Sequence, residues 1–184
     1  MRYAQIDKCE IVNGNDVGVS LYVQGCPIHC KGCFNPETWD FNGGKEWTSN
    51  NELEVLKYIE PPYIKRFSLV GGEPLYEDNI LDLFLLVDLI KRKRSDIDIW
   101  LWTGYTWEQL MQRLVEAKAE WPTINAGVYL YGLLKQIDYI VAGPFIEEQK
   151  DLSLLWRGSR NQEVIDVQQT LENKKKDTVC FINN

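Results

Sequence analysis

Three cysteines within eight residues, Cys26, Cys30 and Cys33 at C-x-x-x-C-x-x-C spacing, constrain this chain more than any other feature of it. They lie in the run Gly25-Cys26-Pro27-Ile28-His29-Cys30-Lys31-Gly32-Cys33-Phe34-Asn35-Pro36, where Gly25, Pro27 and Gly32 supply the turns that crowded thiols need. Thiolates are soft ligands suited to iron–sulfur clusters and to zinc. Four-iron clusters commonly take four cysteines, so three close cysteines without an obvious fourth leave one iron open. An open metal position admits substrate, whereas a fully ligated one holds the fold or passes electrons. Zinc is the competing reading, with His29 or a remote cysteine as fourth ligand. His29 is the only histidine, and its place just before Cys30 makes joint ligation awkward; zinc sites also tend to arrive as two spaced pairs. The two remaining cysteines, Cys9 and Cys180, read as small buried or half-buried hydrophobes.

A length of 184 residues fits one domain over 1–184, with residues 25–48 as its metal-binding loop region. The net charge of −7 argues against a general nucleic-acid or anionic-membrane surface, both of which need positive potential. The opening residues Met1 to Asp7 lack the apolar core of a signal peptide, and the apolar run Leu81 to Ile90 is short and broken by Asp82 and Asp88. The expected compartment is the cytoplasm, where thiols stay reduced and clustered cysteines bind metal more often than they pair.

The chain alternates strand-like and helix-like segments. Val17, Val19, Leu21 and Val23 alternate with Gly18, Ser20, Tyr22 and Gln24, a period-two strand that delivers the chain into the cysteine loop. Gly43-Gly44 marks a turn, and Ser49 or Asn50 caps a helix with Leu53, Leu56 and Ile59 on one face, stopped by Pro61-Pro62. A buried strand over Arg66 to Val70 ends in Gly71-Gly72. A helix from about Asp78, rich in Leu81, Phe84, Leu85 and Ile90, then runs to the basic stretch Lys91-Arg92-Lys93-Arg94, read as a solvated helix end. Ile97, Ile99 and Leu101 form a third strand before Gly104-Tyr105. Thr106 with Gln109 is a capping box for a helix through about Ala119. A loop over Trp121 to Val128, a short helix over Tyr129 to Lys135, a fourth strand over Ile137 to Ala142 and a fifth over Glu163 to Val167 complete the pattern; Lys174 to Lys176 reads as solvated. Such alternation implies right-handed crossovers and a mostly parallel sheet, with too few units for a closed eight-stranded barrel. The expected fold is an α/β open partial barrel. Its ligands should collect beyond the C-terminal strand ends, where the cysteine loop, Gly71-Gly72 and Gly104 fall.

The C-x-x-x-C-x-x-C loop is similar to the signature of the radical S-adenosylmethionine (SAM) superfamily, and Gly71-Gly72-Glu73-Pro74 looks like its GGEP motif. A narrower group is resembled by ordered blocks over nearly the whole chain: Val12-Asn13-Gly14, Leu21 to Cys26, Gly32 to Trp39, Asp98 to Tyr105, Val141 to Phe145 and Trp156 to Gln162. That group is the activating proteins of anaerobic (class III) ribonucleoside-triphosphate reductases. The resemblance implies an open partial (βα) barrel of the radical SAM type. It implies that Cys26, Cys30 and Cys33 hold a [4Fe–4S] cluster whose fourth iron is chelated by SAM. It further implies a 5′-deoxyadenosyl radical that takes hydrogen from a backbone glycine of the reductase, with a flavodoxin-like electron donor. Gly32, Cys33 and Phe34 stand where the family surrounds the nucleoside, and Gly71, Gly72 and Glu73 where it holds the methionine moiety. Glu73 could meet the ammonium or cap the next segment; Phe34 could stack on adenine or pack into the core. Arg157 and Arg160 are candidates for gripping the partner or the SAM carboxylate. Two departures stand out. Gly32 replaces the aromatic residue often found before the third cysteine, as the narrower group also has it. Asn15-Asp16-Val17-Gly18-Val19 lacks an arginine that related chains carry there. The stretch from about 117 to 136 also looks longer than usual and has no functional reading. The alternatives are an activase of another glycyl-radical enzyme (pyruvate formate-lyase type), a small-metabolite radical SAM enzyme, and a non-catalytic metal-binding module.

Overall fold

A computed structural model describes residues 1–119, 126–172 and 181. One sheet of seven strands organises them: β1 (Arg2–Glu10), β2 (Gly18–Val23), β3 (Lys45–Glu46), β4 (Arg66–Gly71), β5 (Asp98–Thr103), β6 (Tyr139–Ala142) and β7 (Glu163–Asp166), in the spatial order β3-β1-β2-β4-β5-β6-β7. The helices are α1 (Ser49–Tyr58), α2 (Glu77–Lys93), α3 (Trp107–Ala119), α4 (Ala126–Leu134) and α5 (Val167–Glu172). The sheet is open, and its four central strands β2, β4, β5 and β6 are parallel, as expected. Both flanks are antiparallel: β1 pairs with β2 and β3, and β7 pairs with β6. The sequence reading missed β1 because its register shifts between Tyr3 and Gln5 and again between Asp7 and Glu10. Those irregularities erase the period-two burial that announces a strand.

Alternate residues of the central strands divide between two faces. Val19 and Leu21, Phe67 and Leu69, Ile99 and Leu101 point into the main core, which the buried residues of α1 to α4 and α5 complete. The other face carries Ser20, Ser68 and Arg66, all fully buried, and Trp100, which packs with Val141 and Val164 in a smaller cluster. Trp100 is ringed by Trp102, Tyr139 and Trp156, so these tryptophans pack on one another.

The buried face of α1 differs from expectation, and the structure supplies that of α2. On α1 the buried contacts are Val55 and the C-cap Ile59, with Leu56 beside them, while Leu53 is exposed; the cap is Thr48, whose N–H donates to Asn51 Oδ1 at 2.9 Å. On α2 the buried stripe is Ile80, Leu83, Leu86, Val87 and Ile90, which leaves Leu81, Leu85 and Leu89 on the outside. A leucine-rich helix carries more apolar side chains than one core face can take, so composition alone does not say which ones go in. The basic run after it is paired rather than simply solvated. Lys91 Nζ donates to Asp138 at 2.8 Å, and Arg94 Nη1 donates at 2.8 Å to the carbonyl of Ile59, closing the open end of α1. The Thr106–Gln109 capping box forms as expected. Helix α4 begins at Ala126, earlier than Tyr129; most of the predicted 121–128 loop, together with Cys180 and Lys174 to Lys176, lies outside the described residues.

Candidate metal centre

Parallel strands place all their C-terminal ends on one edge of a sheet. Here the ends of β2, β4, β5 and β6 open onto a single cavity of about 660 Å³. Cys26, Cys30 and Cys33 line it, as do Gly71, Gly72 and Glu73 after β4, Thr103 and Gly104 after β5, and Gly143 after β6. The co-location expected from strand order is therefore present.

The cysteine loop is built by folding back on itself. Gly25 N donates to Thr38 O at 2.8 Å and Cys26 N to Trp39 O at 3.2 Å, so the exit from β2 is held by the far end of the loop. Gln24, only 3% exposed, donates its Nε2 to the carbonyls of Glu37 and Asp40 at 3.0 and 2.8 Å and fixes the same closure. Within the loop Cys33 N donates to Cys30 O at 3.1 Å, and Asn35 N donates to Cys33 Sγ at 3.4 Å. Backbone donors at Ile28 and His29 face the Cys26 thiol, and one at Phe145 faces Cys30. N–H groups aimed at sulfur stabilise a thiolate, whereas burial pushes both thiols up and is the larger influence. Metal ligation would offset that burial by displacing the protons.

His29 does not join the thiols. Its ring stacks on Trp39, with centroids 4.6 Å apart and planes 13° apart, and it is absent from the cavity lining. Among the described residues no three His, Cys, Asp or Glu side chains converge tightly enough for a single ion. A lone zinc requires four donors around one atom, whereas a four-iron cube gives each cysteine its own iron. The donor set fits the cube better than the ion. It is three soft sulfurs lining one cavity, and among the described residues the only carboxylate lining that cavity is already occupied.

That carboxylate is Glu73. It is 1% exposed and receives three hydrogen bonds: Thr103 Oγ1 and Leu75 N donate to Oε1 at 2.7 and 2.9 Å, and Gly104 N donates to Oε2 at 2.8 Å. Burial outweighs these donors and raises its pKa to about 7. Glu73 thus ties the turn after β4 to the turn after β5. The two glycines before it are required by close packing. A Cβ on Gly71, where φ is +96°, would lie 2.8 Å from Val23 O, and one on Gly72 would lie 2.5 Å from Gly25 O. Only glycines let this turn press against the root of the cysteine loop, where Glu73 N donates to Gly25 O at 2.8 Å.

Gly32 has φ +75° and sits against Glu147, which also pairs with Lys31 at 2.9 Å; it does not line the cavity. Phe34 lines the cavity mouth, 55% exposed, with its ring tilted on Phe145 at 5.0 Å and wedged over Gly158. Neither of its two anticipated surroundings describes it fully: the ring rests on Phe145 and Gly158, and Lys150 Nζ lies over it, 5.4 Å from its centroid. Arg157 lines the cavity, donates Nη1 to Gln162 O at 2.9 Å and keeps a buried Nε with no hydrogen-bond partner among the described residues. A buried cationic donor left open is suited to a carboxylate ligand. Arg160 is engaged with Asp151 at 3.0 Å and stands outside the lining.

One contributor was invisible in the sequence. Arg66, with no exposed surface, lies across the loop that lacks the expected arginine. Its strand partner is Gly18, and a Cβ on Gly18 would sit 2.7 Å from the Arg66 guanidinium carbon. All five guanidinium N–H donors are used: on Glu10 Oε1 and Ser68 Oγ, on Asn15 O, and on the carbonyls of Glu10 and Asp16. Glu10 in turn accepts from Val12 N, Asn13 N and Ser20 Oγ. This clasp fixes residues 11–16, of which Ile11, Val12 and Asn13 reach the cavity. An arginine followed by an apolar strand gives no sign of such a role; the missing side chain at Gly18 was the available signal.

The model of the family described as "4Fe-4S single cluster domain" matches residues 12–165. The chain is 37% identical over 166 residues to the Vibrio cholerae protein named anaerobic ribonucleoside-triphosphate reductase-activating protein, covering 89% of this chain and 97% of that one. It is 36% identical over 166 residues to the protein of that name from Haemophilus influenzae, covering 88% and 96%. It is 35% identical over 164 residues to the one from Enterobacteria phage T4, covering 89% and 93%.

Proposed function

Because this chain belongs to the family of anaerobic ribonucleoside-triphosphate reductase-activating proteins, with a 4Fe-4S single cluster domain over most of its length, we propose that it is the glycyl-radical activase of such a reductase. In this reading Cys26, Cys30 and Cys33 would hold a [4Fe–4S] cluster and leave one of its irons free for SAM. When bound, the two cofactors would supply one-electron radical chemistry directed at a backbone glycine of the reductase.

The protein's own part is placement and exclusion. Gly71 and Gly72 let main chain approach the methionine moiety, and Glu73 holds that turn against Gly104 rather than serving as a free charge. Arg157 offers its unpartnered Nε to the carboxylate. Cys33 and Phe34, with Gly32 shaping the loop behind them, form the nucleoside side. The sheet reads as the wall of an open partial (βα) barrel of the radical SAM type, and residues 1–184 as one domain. The setting is cytoplasmic with a flavodoxin-like electron donor; no helix among the described residues is long and apolar enough to cross a membrane.

One observation carries this reading: three thiols from a single loop open into the same cavity as the glycine turns after β4 and β5. The test is electron paramagnetic resonance of the reduced protein with and without SAM, followed by incubation with purified reductase. A cluster signal altered by SAM and a glycyl radical on the reductase are expected. A colourless zinc protein, or a small-molecule product with no protein radical, rejects the proposal.

A further inference from the structure

The cavity mouth gathers exposed apolar side chains from segments far apart in the sequence. Ile11 and Val12 are 74% and 75% exposed, Leu152 is 77% exposed, and Phe34 is 55% exposed; all four line the same cavity as the cysteines. Single exposed apolar residues are ordinary, but a set gathered around one opening is not. The prong formed by Ile11 and Val12 is also rigidly held. Glu10 accepts both Val12 N and Asn13 N, and buried Arg66 grips Glu10 together with the carbonyls of Asn15 and Asp16. A buried arginine with every donor satisfied is a costly device for keeping two apolar side chains in water, unless they meet something.

Resting on the activase reading above, we propose that Ile11 and Val12 on one side, and Leu152 with Phe34 on the other, form the docking jaws for the glycine-bearing segment of the reductase. The occupant's chemistry follows from the opening. Among the described residues lining the cavity only Glu73 and Arg157 carry an acidic or basic side chain, and Glu73 is spent on internal hydrogen bonds, while at the rim Lys150 Nζ lies over the Phe34 ring at 5.4 Å. With Arg157 and Lys150 as the cations left there, the mouth favours an extended segment with apolar flanks and no positive charge. A glycine at its centre has no side chain to block descent of the main chain toward the cavity floor. Apolar flanks gripped at the rim would hold that glycine in place while its Cα reaches inward.

The experiment measures affinity of cluster-loaded protein, with SAM under anaerobic conditions, for purified reductase. The Ile11→Ser/Val12→Ser pair and Leu152→Ser are each expected to weaken binding, the pair by roughly tenfold, since exposed contacts become hot spots only when a partner buries them. A control pair, Leu81→Ser/Leu85→Ser, removes exposed leucines on α2, remote from the cavity lining, and should leave affinity within about twofold. Circular dichroism melts verify that each variant folds. As an independent measurement, a photo-crosslinking p-benzoylphenylalanine at position 152 should capture the peptide containing the radical glycine. Unchanged affinity in both jaw variants, weakening by the α2 pair instead, or a crosslink elsewhere on the reductase overturns the docking proposal. If the wild-type protein shows no affinity for the reductase at all, the activase reading itself falls.

Discussion

Replacing Arg66 by Met should cost this protein more stability than any single change at its exposed surface. The guanidinium is fully buried and all five of its N–H groups are engaged, while its aliphatic stem packs under Gly14 and Gly18. Arg66→Met keeps much of the stem's volume and removes the charge, leaving the Glu10 carboxylate and three main-chain carbonyls short of a donor. Breaking one side of a buried ion pair costs about 3–5 kcal/mol, because the abandoned charge stays desolvated. For a chain of this size each kcal/mol moves the melting temperature by about 2–4 °C, so the expected drop is about 6–20 °C. The effect also has a pH signature. Burial alone would raise the Glu10 pKa, but donation from Arg66, Ser20, Asn13 and Val12 outweighs burial and holds it below the usual carboxylate value. A depressed carboxyl stabilises the fold above its unfolded pKa, and that contribution is lost as pH falls through the folded value. The gap between wild type and Arg66→Met should therefore be widest near neutrality and narrow in acid, below the ordinary carboxylate pKa of 4.5. Urea denaturation of the metal-free proteins at several pH values measures both. A gap below about 1 kcal/mol, or one that does not change between neutral and acid solution, would refute the reasoning.

Other expectations follow from the site. Cys26→Ala, Cys30→Ala and Cys33→Ala should each lose bound iron and sulfide, while Cys9→Ser, at a thiol that is exposed rather than half-buried and lies outside the cavity lining, should keep both; elemental analysis after anaerobic reconstitution decides. Stability of the metal-free protein should fall as pH rises toward and through about 7, because a raised carboxyl favours the fold only while protonated. The interval from 4.5 to about 7 corresponds to roughly 3 kcal/mol at most, and Glu73→Gln, which cannot ionise, should flatten that slope in denaturation curves. Arg157→Gln should weaken SAM binding by roughly tenfold or more in equilibrium dialysis, as loss of a charge-assisted contact would, without lowering iron content.

Much of this architecture was legible in the residues because period-two and period-3.6 patterns survive wherever one face is buried and the other is not. β2, β4 and β5 fell within a residue or two of their expected limits, as did α2 and the start of α3. What escaped has a physical cause in each case. β1 is bent by two register shifts, β3 is two residues long, and on α2 the surplus of leucines hid which stripe was inside. At the candidate metal centre the cysteines were plain from their spacing, and the glycine turn from its resemblance to a superfamily motif. The engagement of Glu73 by Thr103, Leu75 and Gly104 was not, because it depends on two turns meeting that lie thirty residues apart in sequence. Arg66 stands in the sequence as the first residue of a strand, and nothing local distinguishes it from a solvated one.

The pairing of Gly18 with Arg66 has a consequence for how such chains diverge. In parallel neighbours, position 18 and position 66 stand at the same level of the sheet, so a cationic group can be rooted in either strand and still serve the same ring of acceptors. The vacancy on one strand and the bulk on the other are complementary. In this chain, filling position 18 alone would produce a collision, and emptying position 66 alone a void. Grafts between family members should move both positions together, and Gly18→Arg combined with Arg66→Gly is the inversion most apt to leave the neighbouring loop in place.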